Sequence, residues 1–174
     1  MTAKSPRISM RWPLLLALAM AMAPGRAASG APPDPGKVGP STSKSRDDQA
    51  VQHDMAQLAG IWTLEAMEVD GHKATDDQMR GWLLVIEGDQ YNPGSGQLSV
   101  EYTYRIDPSR SPKAIDLIPH EGPYRGRTLR GIYSVHNDRL TICRVRFPEG
   151  ERPAGFGTRP ESGLASSTWK RRKP

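Results

Sequence analysis

The run Leu58-Ala59-Gly60-Ile61-Trp62-Thr63-Leu64 constrains this chain most, because it is answered near the other end by Trp169-Lys170-Arg171. A Gly-x-Trp at the start of a first strand, with a basic residue on a last strand, is how a small closed antiparallel barrel is stapled at one end. Gly60 lets the backbone come close to the Trp62 ring. Trp62 can then stack beneath Arg171 or Lys170, a cation-π contact of about 0.5 to 2 kcal/mol.

The periodicity agrees with a barrel. Trp62, Leu64 and Ala66 alternate with Thr63, Glu65 and Met67, and Leu98, Val100, Tyr102, Tyr104 and Ile106 alternate with Ser99, Glu101, Thr103 and Arg105. A period of two marks strands with one buried face. Further strands are predicted over 83–87, 114–118, 128–135, 139–145 and 164–170. Turn signals separate them at Asp70-Gly71, Glu87-Gly88-Asp89, Asn92-Pro93-Gly94, Asp107-Pro108, His136-Asn137-Asp138 and Glu149-Gly150, where Gly, Asn and Asp tolerate the backbone angles that tight hairpins require. No helical pattern long enough for a βαβ crossover intervenes, so the domain reads as all-β. Short local hairpins close naturally into an up-and-down barrel of about eight strands. Closure also removes the edges that a sandwich would leave exposed. Just upstream, Asp47-Asp48 is a candidate N-cap for one short helix, about three turns, with Val51, Met55 and Leu58 on one stripe. Leading straight into the first strand, that helix is placed to cover one end of the barrel.

The ends of the 174-residue chain do not read as core. Lys4, Arg7 and Arg11 precede an apolar run from Trp12 to Ala23, and small residues follow at Gly25, Ala27 and Ala28. This is the pattern of a secretory signal peptide over residues 1–27. The run is too short for the roughly 20 residues of a spanning helix, which argues against an uncleaved anchor and against stable membrane insertion after cleavage. Residues 28–46 are Pro, Gly, Ser and Lys with almost nothing apolar, the composition of a tether, and 47–174 form the barrel domain. The expected address is therefore periplasmic or extracellular.

The net charge of +5 is unevenly placed. Of 24 basic groups four lie in residues 1–27 with no acid, so 20 face the 19 acids of the remainder, and Lys170, Arg171, Arg172 and Lys173 form a basic tail. Without that tail the globule is slightly acidic, which argues against a nucleic-acid partner. Cys143 is the only cysteine, so no internal disulfide forms. Within the strand pattern 139–145 it reads as a small buried hydrophobe rather than a reactive thiol.

Motifs for chemistry are missing. His53, His72, His120 and His136 have no metal-ligand spacing. The carboxylates Asp70, Asp76, Asp77, Asp89, Asp107 and Asp138 sit in turn-like segments. No nucleophile elbow, phosphate-cradling loop or His-Glu-x-x-His occurs, so no catalytic residue, metal or cofactor is assigned. One charge cluster is non-random: Arg125, Arg127 and Arg130, with Arg139, Arg144 and Arg146 on the next strand. Arg144 shares a side with Leu140, Ile142 and Arg146. It either projects into the barrel, as a site for an anionic head group or a partner of Glu65, Glu68 or Glu101, or belongs to a solvated basic face. Its direction relative to the barrel axis decides.

The ordered succession of Leu58-Ala59-Gly60-Ile61-Trp62, Val69-Asp70-Gly71-His72-Lys73, Tyr104-Arg105-Ile106-Asp107-Pro108, Lys113-Ala114-Ile115-Asp116, Gly131-Ile132-Tyr133, Leu140-Thr141-Ile142-Cys143 and Gly150-Glu151-Arg152-Pro153 resembles an uncharacterised lipocalin-like domain family expanded in planctomycete bacteria. The resemblance covers about residues 54–172. It implies a lipocalin-like barrel in secreted or multidomain proteins and carries no agreed activity. The chain departs from it at Asn92-Pro93-Gly94-Ser95-Gly96 and at Arg125-Gly126-Arg127.

Two functions are weighed from these readings. One is a monomeric, exported, non-enzymatic module binding a small apolar or amphipathic ligand, with Leu64, Tyr102, Tyr104, Tyr133, Ile142 and Arg144 as lining and Gly60, Trp62, Lys170 and Arg171 as the staple. The other is a solid structural or interaction module that meets a cell-envelope protein. An interior cavity of roughly 300 Å3 or more favours the first. The segment from Glu151 to Gly163, anchored by Phe156, is a candidate lid.

Overall fold

The computed structural model describes residues 41–96 and 98–173. The signal-peptide reading, and the tether reading as far as residue 40, lie outside the described residues. Helix α1 spans Ser41–Leu58 and is followed by β1 (Gly60–Val69), β2 (His72–Lys73), the one-turn helix α2 (Asp76–Met79), β3 (Trp82–Glu87), β4 (Gln90–Ser95), β5 (Leu98–Ser99), β6 (Tyr102–Asp107), β7 (Ala114–Pro119), β8 (Leu129–His136), β9 (Arg139–Val145) and β10 (Leu164–Arg171). Each of β1, β3, β4, β6, β7, β8, β9 and β10 pairs antiparallel with the next, and β10 returns to β1. The result is a closed eight-stranded up-and-down barrel, as the strand periodicity predicts. β2 and β5 are short additions on β1 and β4.

Four local features depart from the sequence reading. First, α1 begins at Ser41 rather than at Asp47-Asp48, so the last residues assigned to the tether are helical. Secondly, the register of β1 against β10 shifts between Leu64 and Ala66. This bulge adds one residue to the strand. Beyond it the faces exchange, so that Met67 packs against the core and Ala66 is exposed.

Thirdly, Asn92-Pro93-Gly94 is not a turn but the middle of β4. The true turn is Gly88-Asp89, leaving Pro93 opposite Leu84 of β3. On its other edge β4 meets β5 through Gly94↔Ser99 and β6 through Tyr91↔Tyr102, in one continuous register. Residues 98–107 are thus one strand, as the alternation predicts, interrupted at Val100-Glu101. Pro93 faces Val100, accepts from the Val100 N–H at 3.0 Å and has no N–H to return. A single missing donor accounts for the break.

The fourth departure is the segment between β9 and β10, which is a strap on the outer face rather than a lid. The Arg152 guanidinium donates to the carbonyls of Ile115 (3.0 Å) and Gly131 (2.5 Å) and to Asp116 (2.6 Å). Thr158 donates to Glu68 at 2.5 Å and accepts from the Gly71 N–H, while Asp70 accepts from Gly163 N–H (2.7 Å) and pairs with Arg146. Arg130 ties the start of the strap through the carbonyls of Pro148 and Gly150. Ile132 and Cys143, a cross-strand pair that points out of the barrel, are 1% and 0% exposed. Burial pushes the Cys143 thiol up to about 11. It should therefore resist a maleimide at neutral pH in the native protein and react stoichiometrically once unfolded in urea, with labelling followed by intact mass.

Candidate functional site

The two ends of the barrel are built differently. At the base, Trp62 is fully buried and its indole Nε1 donates to the Leu58 carbonyl at 2.9 Å. The Arg171 guanidinium lies 4.1 Å from the Trp62 ring centroid. The same guanidinium donates to the carbonyls of Ala59, at 2.7 Å, and Gln57. Gln57 lies in the last turn of α1 and Ala59 directly follows it, so neither carbonyl has a partner inside the helix. Gly60 has φ +130°, and a Cβ there would fall 2.8 Å from Arg171 Nη1. The glycine is thus required by the arginine rather than by the Trp62 ring. Lys170 takes no part: it points outward, exposed, with Nζ 4.0 Å from Glu65.

A second latch holds α1 over the base. Asp54, 3% exposed, accepts from the Tyr133 hydroxyl and from Lys113 Nζ, each at 2.6 Å. Burial, and then the Asp54 carboxylate, push the Tyr133 pKa well above its ordinary value. Leu58 belongs to the same buried cluster as Trp62, Leu84, Tyr104 and Leu140, and Met55 packs against that cluster. The base is therefore packed and sealed.

The mouth is open. A cavity of about 160 Å3 is lined by Leu64, Met67, Trp82, Tyr91, Pro93, Val100, Tyr102, Arg144, Ala165, Ser166, Ser167 and Trp169. Tyr91 and Tyr102 meet edge to face, centroids 5.9 Å apart. Burial pushes the Tyr91 hydroxyl far up, and the Arg144 charge opposes that rise, so the guanidinium acts across the barrel on the opposite wall. Arg144 is half-buried, shares the inner face of β9 with Leu140 and Ile142, and its Nη1 donates to the Val145 carbonyl at 3.1 Å.

Leu64, Tyr102 and Arg144 thus come together at the cavity. Tyr104, Tyr133 and Ile142 also face inward but are buried in the packed core below it. Tyr104 keeps a buried hydroxyl with no partner among the described residues. The carboxylates considered as partners for Arg144 are engaged elsewhere: Glu65 with Arg139 at 2.9 Å, Glu68 with Thr158, and Glu101 beside His120 at 3.8 Å. Sequence reasoning missed Trp82 and Tyr91, which the β3–β4 hairpin carries to the mouth. A larger and shallower depression of about 400 Å3 runs over the outer face beside Glu65, Ser134, Arg139 and Lys170. Its charges already pair with one another, so the inner cavity is the better candidate. Comparison of the chain with protein-family models, curated proteins and solved structures found no match.

Proposed function

We propose that this chain is an exported, non-enzymatic binding barrel that takes a small amphipathic ligand at its mouth. One observation carries the reading: the end opposite the sealed base holds a cavity walled by Trp82, Tyr91, Tyr102 and Trp169 with a half-buried arginine in it. Apolar walls with a few convergent polar groups are the usual make-up of a ligand site. At about 160 Å3 the cavity falls short of the roughly 300 Å3 that would favour binding on volume, so the reading rests on the lining rather than on size. The ligand is therefore small, or it leaves part of its body on the rim, where Leu98 is 71% exposed. Kinship with the lipocalin-like family belongs to the same proposal and is supported by the closed eight-strand ring.

The small cavity and packed base favour a second reading, a solid barrel that meets an envelope partner. Native mass spectrometry of the protein from its own cell separates the two. The binding reading expects a retained small molecule that is released on denaturation; a bare protein in every preparation favours the solid barrel. N-terminal sequencing of the same material tests export. A mature start between residues 26 and 32 is expected, and an intact Met1 in the cytoplasmic fraction would refute it.

A further inference from the structure

We infer that the head group taken at the mouth is a carboxylate, held by Arg144, on a small aromatic or short acyl body. The inference rests on the binding reading above. Among the inward-facing residues of the eight strands, two carry a charge: Arg171 at the base and Arg144 at the mouth. Arg171 is fully used, stacked on Trp62 and donating to the carbonyls of Gln57 and Ala59 where α1 ends. Arg144 has one backbone carbonyl and, among the described residues, no carboxylate. A guanidinium carries five N–H donors. Half-buried among aromatic rings without a counter-charge, it leaves donors and a positive charge directed at whatever enters the cup.

The flanking strands keep that charge accessible. Opposite Arg144 stand Ala165 on β10 and Gly131 on β8, the smallest residues available. A Cβ at Gly131 would come within 2.9 Å of the Cys143 carbonyl oxygen and 3.1 Å of Arg144 Cβ. The far wall offers flat apolar surfaces in Tyr91, Tyr102 and Trp82, which suit an aromatic or acyl body. Charge count then selects the head group. One planar guanidinium matches a carboxylate in a two-pronged bond and neutralises it. A phosphate dianion would leave an uncompensated charge between the rings.

The test is isothermal titration of the full chain with phenylacetate and hexanoate, with their neutral amides phenylacetamide and hexanamide, and with inorganic phosphate. It is run on the wild type, Arg144→Gln and Arg144→Lys. At least one carboxylate should bind the wild type about 10- to 100-fold more tightly than its amide, the range of a charge-assisted hydrogen bond. Arg144→Gln should abolish that preference and Arg144→Lys should keep part of it. Acid and amide binding alike, unchanged by Arg144→Gln, would overturn the carboxylate assignment and leave the binding reading standing. Phosphate binding as tightly as the acids would overturn it too. If no acid and no amide binds, the binding reading itself falls and takes the inference with it. Should Arg144→Gln fail to fold, the wild-type acid-to-amide ratio alone decides.

Discussion

Replacing Trp62 with alanine should lower the unfolding free energy by about 3 to 5 kcal/mol, because the largest fully buried side chain leaves a cavity between the helix and the barrel. The indole also donates to Leu58, so its loss leaves a carbonyl at the end of α1 without that partner. Arg171→Ala should cost about 1 to 3 kcal/mol, since it removes the stacking cation together with the donor to Ala59 and Gln57. The two losses should not add, because the residues touch and hold the same helix end. Urea unfolding of the two single mutants and the double mutant closes the cycle. Lys170→Ala is the control and should fall within about 0.5 kcal/mol of wild type, as expected for an exposed surface residue. Additive losses, or a Trp62→Ala cost no larger than that of the control, would mean that the base is not stapled.

Asp54→Ala is expected to cost about 1 to 3 kcal/mol, the penalty for stranding buried hydrogen-bonding groups. The carboxylate is 3% exposed and holds both the Tyr133 hydroxyl and Lys113 Nζ. Removing it leaves the hydroxyl of a tyrosine 1% exposed without its acceptor and frees α1 from the base. Tyr133→Phe should cost less, about 0.5 to 1.5 kcal/mol, because Asp54 keeps Lys113. Hydrogen exchange in Asp54→Ala should quicken first along α1. Equal costs for the two mutants, with α1 protection unchanged, would show that the latch does not hold the helix.

Much of the barrel was legible because its signals are local. Alternation over 98–106 survives the break at Val100, and Asn137, with φ 53°, closes the β8–β9 hairpin where the Asn-Asp pair predicts it. What could not be read depends on partners distant in sequence. Pro93 looks like a turn beside Gly94, yet it sits within β4 opposite Leu84, and its missing N–H interrupts the pairing only on the Val100 side. The bulge that turns Met67 inward answers the register of β10, about a hundred residues away in the chain. Asp54 lies between the apolar positions Val51 and Met55 and carries no local mark of burial. Its partners come from β8 and the β6–β7 connection. The Gly-Glu-Arg-Pro segment has loop composition, and only the fold brings Arg152 to the carbonyls of Ile115 and Gly131.

The arginine cluster is the clearest case of both outcomes. Strand parity placed Arg144 and Arg146 together with Leu140 and Ile142; the structure turns Arg144 into the barrel, whereas Arg146 lies just past the end of β9 and turns to Asp70 instead. Parity could not tell that Arg127 pairs with Glu149, Arg139 with Glu65 and Arg146 with Asp70, leaving Arg144 as the member directed into the mouth.

The division between a sealed base and a receptive mouth predicts opposite behaviour from tryptophans in the same barrel. In nitrogen-15 correlation spectra of the full chain titrated with phenylacetate and, separately, with hexanoate, the indole signals of Trp82 and Trp169, which line the cavity, should shift in a saturable way with at least one of the two. The indole of Trp62, fully buried under Arg171 at the other end, should stay in place. Trp82 and Trp169 signals unmoved by both acids, or a Trp62 signal that moves with them, would contradict a ligand site at the mouth.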